Sequence, residues 1–301
     1  MSKVILIAGA TGNLGNKIVD ELLKLNTIVK VLVRSQTDEK KIQNLASKNV
    51  EIYKVDVYTI EEIALVCKGV DCVVSVLAGF EDTIVDTQKI LVQAAIKAKV
   101  PRFIPSDFST DFRNLIYGKN RNLDFRKKFH DYLNQQPIQS TSIFNGAFME
   151  LTTGDMPLIL FGKNKILCWG DKNIKMDLTT TYNVAQYTAH AALDETAPRY
   201  LSIAGESVSC ADVADIMTHL TDSPYKIFKP GGIGLFNVII SITKFFDFSK
   251  NELYPAWQGM QYMRDMMEGK AEINKHDNDR YPVAWTRLRE YINSERNFRS
   301  Y

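Results

Sequence analysis

The stretch IAGATGNLGNK, Ile7 to Lys17, sets glycines at positions 9, 12 and 15 directly after the apolar run VILI at residues 4–7. Leu14, Ile18, Leu22 and Leu25 then recur at helical spacing, so the glycines fall on a strand-to-helix turn. In that setting Gly9 makes the tight turn, Gly12 lets backbone approach a pyrophosphate, and Gly15 allows helix and strand to pack closely. Anionic phosphates then rest on the helix N-terminus. The candidate cofactor contacts are Gly9, Thr11, Gly12, Asn13, Leu14 and Gly15. A glycine turn without a ligand is the competing reading, and strand, spacing and helix together argue against it.

Outward from this loop, short β-branched runs alternate with longer helical ones as far as about residue 147. The strands read as KVILIAG, TIVKVLV, VEIYKVD, CVVSVLAG, RFIPSD and STSIFNG, and Ile84, Gln88, Leu91, Ala95 and Ala98 mark a helix between the fourth and fifth. The strands are apolar nearly throughout, as expected when helices cover both faces of a sheet. This predicts an α/β fold with a doubly wound parallel Rossmann sheet, residues 1–150 forming the dinucleotide-binding domain. After residue 150 the alternation gives way to a hairpin turning at Gly162 to Asn164, a helix from near Tyr182, and a helix from Cys210 to Leu220. Ser209 and Asp212 form a capping box for that last helix. The strand-like YKIFK and helices rich in methionine and aromatic residues follow. Residues 151–301 are thus expected to form a smaller α+β substrate-binding lobe that completes a cleft. The apolar run Gly234 to Phe246 carries Asn237 and Lys244 and is shorter than the roughly 20 residues of a spanning helix, so it reads as a buried or pocket-covering helix.

The second strand selects the cofactor. Enzymes that prefer NAD usually end it with an acid for the ribose hydroxyls, but VKVLVRS ends in Arg34 and Ser35. A guanidinium pairs bidentately with phosphate, so NADP(H) is expected; a solvated surface arginine is the alternative. Asp56 and Val57 end the third strand where adenine would lie, and Ala78, Gly79 and Phe80 end the fourth beside the crevice.

Composition excludes other classes. The 301 residues are 45% apolar and 24% charged, and 37 basic against 35 acidic side chains leave a net charge of +2. That gives no electrostatic footprint for nucleic acid or an anionic membrane. Cys67, Cys72, Cys168 and Cys210 form no CxxC pair, so neither a metal site nor a disulfide framework is expected. With no signal peptide in the opening residues, a cytoplasmic location is expected.

GATGNLG, VLVRS, VPRFIPSDFS and STSIFNGAFME running on to MDLTTTYNVAQYTAHAAL resemble the NmrA-like and isoflavone-reductase-like group of atypical short-chain dehydrogenases. The resemblance implies a Rossmann domain, NADP(H) and a smaller substrate lobe. The group holds both reductases of aromatic and phenylpropanoid-type substrates and redox sensors without turnover. The usual Tyr-x-x-x-Lys dyad is absent after the fifth strand, where Tyr117 is followed by Arg121; Tyr225 and Lys229 match only in a late strand-like segment. Isoflavone-reductase-type enzymes use a lysine on the next helix, here NLDFRKKFHDYL. Gap-free counting puts that position at Arg126, whereas the Phe-x-x-Lys spacing from Phe125 selects Lys128. Arg126 would orient a substrate or stabilise an oxyanion, and Lys128 would donate a proton if desolvation lowered its pKa. Ser106, at the end of the fifth strand, either polarises a substrate carbonyl or caps the following turn. By resemblance Asn145, Gly146 and Phe148 lie near the nicotinamide. Met149, Met156, Tyr182, Phe245, Phe246, Trp257, Tyr262 and Met266 are candidates for an apolar substrate wall. The expected function is NADPH-dependent reduction of a small apolar or aromatic carbonyl or conjugated substrate. The alternative is a non-catalytic NADP(H) sensor with a regulatory protein partner.

Overall fold

The computed structural model describes residues 2–55, 59–154, 156–248, 252–273 and 275–299. Six parallel strands make the central sheet: β1 (Val4–Ala8), β2 (Ile28–Arg34), β3 (Glu51–Val55), β4 (Cys72–Ser75), β5 (Arg102–Ile104) and β6 (Gln139–Ser140). Their order is β3-β2-β1-β4-β5-β6, so the direction of progression reverses between β1 and β4, and a crevice opens at their carboxyl ends. The helices of this half are α1 (Asn13–Lys24), α2 (Glu39–Ala46), α3 (Ile60–Val66), α4 (Gln88–Lys97) and α5 (Arg121–Leu133). A π-helical turn, Asp82–Thr87, leads into α4.

Alternation along β1 explains why its sequence is apolar without a break. Ile5 and Ile7 enter a cluster with Ile18, Leu22 and Val31, while Leu6 and Ala8 enter another with Ile63, Leu91 and Phe103 on the opposite face. The doubly wound parallel sheet expected from the sequence is the observed architecture.

The remaining elements are β7 (Ser142–Phe144), β8 (Ala147–Phe148), β9 (Ile159–Leu160), β10 (Lys165–Leu167), β11 (Met176–Thr179), α6 (Thr181–Leu193), β12 (Tyr200–Ser202), β13 (Glu206–Val208), α7 (Cys210–Thr221), β14 (Lys226–Phe228), α8 (Ile233–Phe245), α9 (Ala256–Met267) and α10 (Leu288–Arg299). The segment read as one sixth strand divides at Thr141. That residue's N–H still bonds Phe103 O at 3.0 Å, but Ser142 N–H turns to Arg199 O at 2.9 Å, and β7 pairs with β12 in parallel. Two three-stranded sheets follow, β14-β10-β9 and β13-β11-β8. The β9–β10 hairpin turns at Asn164, which takes a left-handed φ of 47°, and Ser209 with Asp212 closes the expected capping box on α7.

A second core gathers Met149, Ile166, Met176, Val213, Met217 and Met266. α6 instead lies against α1, its Val184, Ala185, Ala189 and Ala192 joining the Ile18 and Leu22 cluster. The run at 234–246 is a helix but not a buried one. Only Phe236 and Ile240 of α8 are buried; Leu235, Val238 and Ile242 face outward and Phe245 is 77% exposed. Among the described residues, no helix is long and apolar enough to cross a membrane.

Candidate active site

The loop from β1 to α1 is closed to side chains at two glycines. Gly9 has a φ of +98°, and a Cβ there would lie 2.4 Å from Val76 O; a Cβ on Gly15 would lie 2.2 Å from Gly9 O. These contacts press the turn against the segment after β4 and hold α1 on β1. Gly12 is the N-cap of α1 and brings no side-chain acceptor; Asn16 N–H, bonded to Gly12 O at 2.9 Å, is the first bonded into the helix. The amides of Asn13, Leu14 and Gly15 therefore stand open toward an anion at the positive end of the helix dipole. Beside them a cleft of about 340 Å³ is lined by Thr11, Gly12, Asn13, Lys17, Lys40 and Lys41 among others. Arg34 and Ser35 are exposed at the end of β2, and the Arg34 guanidinium has neither hydrogen bond nor ion pair among the described residues. The sequence reading missed Lys40 and Lys41. The signal was available, since two lysines open the helix that follows Arg34. Asp56 and Val57 lie outside the described residues.

Across the crevice, Ala78 is exposed while Gly79 and Phe80 are partly buried at the end of the fourth strand's segment. Ser106 is buried at the carboxyl edge of β5. Its Oγ donates to Leu77 O at 2.6 Å, and its N–H donates to Gln88 Oε1 at 2.9 Å. Its hydroxyl proton thus ties the β4 and β5 edges together and is not free for a substrate carbonyl.

The structure separates the two basic candidates on α5. Arg126 is buried, donating from Nε to Ser106 O at 3.1 Å and from Nη1 to Asn122 O at 3.0 Å. Lys128 is half exposed and ion-paired with Glu81, whose carboxylate holds the ammonium above its ordinary pKa. That is the reverse of the desolvation a proton-donating Lys128 requires. Asn145, on the chain leaving β7, is fully buried. Its Nδ2 donates to Gly146 O at 3.1 Å, and its Oδ1 has no partner among the described residues. Thr179 Oγ1 donates to Asn145 O at 2.7 Å and fixes this turn, while Gly146 lies against Asp177 and Phe148 is partly buried beside the first core.

Tyr262 of α9 gains a sharper place than a wall residue. Burial pushes its phenol up to about 12, although the Arg126 guanidinium and a hydrogen bond with Asn122 draw it down. The phenol is therefore protonated at neutral pH and lies within the field of the same cation. Behind Arg126, His130 Nε2 meets both Asp107 Oδ2 and, at 3.1 Å, Ser142 Oγ. Burial raises the Asp107 carboxyl, but His130, Ser142 and Arg126 outweigh it and the net shift is downward. Both partners use one ring nitrogen, which is unlike the two-nitrogen relay of a catalytic triad. His130 follows Arg126 by four residues and Asp107 adjoins Ser106, so helical spacing was the missed signal.

Of the other wall candidates, Trp257, Met149 and Met266 are buried, whereas Phe245 and Phe246 point outward and Tyr182 lies under Lys24 beside α1. Tyr225 adjoins β14, in a sheet separate from the six-stranded one. All four cysteines are buried free thiols, and no metal-binding group of side chains occurs among the described residues.

Among curated proteins, the chain is 26% identical to the oxidoreductase aprR of Aspergillus flavus over 75% of this chain and 77% of that one. It is 29% identical to pinoresinol reductase 2 of Arabidopsis thaliana over 66% of each. Among solved structures, AtPrR2 with NADP+ and (+)pinoresinol superposes with a TM-score of 0.82 at 22% identity, covering 98% of this chain and 99% of the other. An isoflavone reductase gives the same TM-score at 20% identity, covering 98% and 100%. The family model described as the NmrA-like family matches residues 1–275, and the chain belongs to that family.

Proposed function

We propose that the protein is an NADPH-dependent reductase of a small apolar or aromatic carbonyl or conjugated substrate. The observation that carries the reading is one arrangement at the carboxyl ends of β1, β2, β5 and β7. It comprises three open amides at α1, an Arg34 with no partner among the described residues, the buried Arg126 guanidinium, and an Asn145 Oδ1 likewise without a partner among them. The relatives named as reductases and the neighbour solved with NADP+ support the same reading.

The residues present fit the dinucleotide. Gly9 and Gly15 leave no room for side chains where the loop closes, and Gly12 leaves the path of a pyrophosphate open. Asn13, Leu14 and Gly15 would hold the phosphates, Arg34 with Lys40 or Lys41 the 2′-phosphate, and Asn145 Oδ1 would accept from the carboxamide. When bound, NADPH supplies a hydride. The Arg126 guanidinium would stabilise negative charge that develops on a substrate oxygen. Tyr262 keeps a proton on its phenol oxygen and would offer a hydrogen bond to a substrate oxygen near Arg126, but burial gives it no added acidity, so the proton that completes reduction would come from solvent. Ser106 positions Arg126 through its carbonyl. We also propose that residues 1–150 hold the cofactor and 151–301 line the substrate side. A cytoplasmic setting goes with this reading.

NADPH oxidation across a panel of aromatic aldehydes, ketones, quinones and enones tests the proposal. Turnover lost in Arg126→Met supports it. Tight NADPH binding with no turnover by wild type on any member overturns it in favour of a sensor that acts through a protein partner.

A further inference from the structure

Where α5 begins, a second cleft of about 270 Å³ opens beside the crevice, lined by Glu81, Tyr117, Arg121, Lys128, Lys244 and Gln261 among others. Its charges do not balance. Glu81 is taken up by Lys128, and Asp124, also on the wall, accepts from Gly118 N–H at 3.0 Å. Arg121 and Lys244 are left with no carboxylate at hydrogen-bond distance among the described residues.

Arg121 is the informative residue. Its Nε donates to Asn122 Oδ1 at 3.0 Å and its Nη2 to Leu253 O at 2.6 Å. Its guanidinium lies over the rings of Phe80 and Trp257, 5.1 and 4.7 Å from their centroids, and Lys244 Nζ stands 5.0 Å from the same Trp257 ring. The side chain is thus clamped in one pose by two neutral oxygens and two aromatic faces, with Nη1 bonded to nothing among the described residues. Asp247 receives Trp257 Nε1–H at 2.6 Å and acts on Arg121 through its field. Burial accordingly presses the guanidinium below its ordinary pKa, the mark of a cation without enough counter-charge. Arg121 is also the first residue of α5, whose N-terminus adds positive potential. A fixed guanidinium fork, an exposed ammonium and a helix N-terminus converge on one small cleft in which three basic side chains stand against two acidic ones, and a carboxylate answers that chemistry.

We infer that the substrate carries a carboxylate, which Arg121 and Lys244 grip while the reducible part of the molecule extends past Phe80 toward Arg126. The inference rests on the reductase reading for the direction of the substrate but not for the recognition of its charge. Phe80 follows β4 at the crevice and its ring lies against the Arg121 guanidinium, so we assign the anionic end and the reacting end to one ligand. That class of substrate is an aromatic or medium-length oxo acid or unsaturated acid.

Binding tests it without turnover. Benzoate, cinnamate, phenylpyruvate and hexanoate, each beside its methyl ester, are titrated calorimetrically into the wild-type protein with NADP+ present. At least one acid should bind tenfold or more tightly than its ester. Arg121→Met and Lys244→Met should each weaken that acid at least fivefold, leaving the ester within twofold and NADP+ affinity unchanged. Lys244 is exposed, so its variant guards against a misfolded Arg121→Met, and circular dichroism checks both. Equal affinity for acid and ester, no binding by any acid, or an acid unaffected by Lys244→Met in a folded protein overturns the inference. A wild type that prefers the acids but oxidises no NADPH retains the carboxylate site and refutes only the reductase reading.

Discussion

Arg126 donates its Nε–H to the carbonyl of Ser106 at 3.1 Å, joining a helix to the strand edge it faces across twenty residues of chain. That bond fixes where the cation stands. Replacing Arg126 by Met should lower kcat by about 10²–10³, the usual loss for a preorganised electrostatic donor, with NADPH affinity kept within a few-fold. Lys128→Met should keep kcat within twofold of wild type, and because it frees Glu81 on the wall of the second cleft it should raise KM for an acidic substrate only. Steady-state kinetics on the best substrate decides between them, and a crippled Lys128→Met would return the chemistry to that lysine.

The phenol of Tyr262 is pushed up to about 12, so it holds its proton throughout the working range. Tyr262→Phe should reduce kcat by roughly tenfold, as expected for one lost hydrogen bond to a substrate oxygen of about 1–1.5 kcal/mol, with KM little changed. Loss of KM alone would reduce Tyr262 to a wall residue.

Among the described residues, Arg34 has no partner at the end of β2. Arg34→Asp removes a charge-assisted contact of about 1.5–3 kcal/mol and adds repulsion, so NADPH should weaken at least tenfold while NADH changes little. Fluorescence titration with both cofactors checks this, and equal losses would refute a 2′-phosphate contact.

The glycine loop yields a contrast within one motif. A Cβ at Gly12 meets only Gly9 O at 3.4 Å, whereas one at Gly15 meets that oxygen at 2.2 Å. Gly12→Val should fold with a melting temperature near wild type and bind neither cofactor. Gly15→Val should lower the melting temperature itself. Wild-type NADPH affinity in folded Gly12→Val would be fatal to the dinucleotide site.

Asp107 titrates below its ordinary range in the fold, because His130, Ser142 and Arg126 outweigh its burial. A depressed carboxyl stabilises the native state above its unfolded pKa of about 3.9, and that contribution is lost as pH falls through the folded value. Asp107→Asn should cost about 3–5 kcal/mol at pH 7, as for a broken buried pair, and should flatten the loss of stability on the acid side. Urea melts at pH 7 and pH 3 measure both; an unchanged acid limb would show that Asp107 does not govern it.

Local patterns made most of the fold legible. The glycine turn, the first five strand positions, the Ser209–Asp212 cap and the Gly162–Asn164 turn depend on residues close in sequence, and each stands where the pattern put it. The division of the sixth strand at Thr141 was hidden because its cause, β12, lies some sixty residues on. The site was half legible. Arg34 and Arg126 could be named from motif and count, but Lys128 looked equivalent to Arg126 until Glu81, from a distant turn, was seen to hold it at the surface. Tyr262 and Asn122 meet only through folding, and no spacing rule connects them. The outward stripe of α8 escaped too, since apolar residues on opposite faces give no periodic signal about which side is covered.

The seating of α6 on α1 has a consequence in time. Ile18 and Leu22 leave the ribosome early, yet Val184, Ala185 and Ala189, which complete their packing, are made more than 150 residues later. At ordinary synthesis rates of about 5–20 residues per second, the outer face of α1 stays uncovered for many seconds on the nascent chain. During that interval the amphipathic first helix is a ready target for a chaperone. A ribosome-bound chain stalled soon after residue 150 should leave α1 open to protease, and one extended well past β12 should protect it.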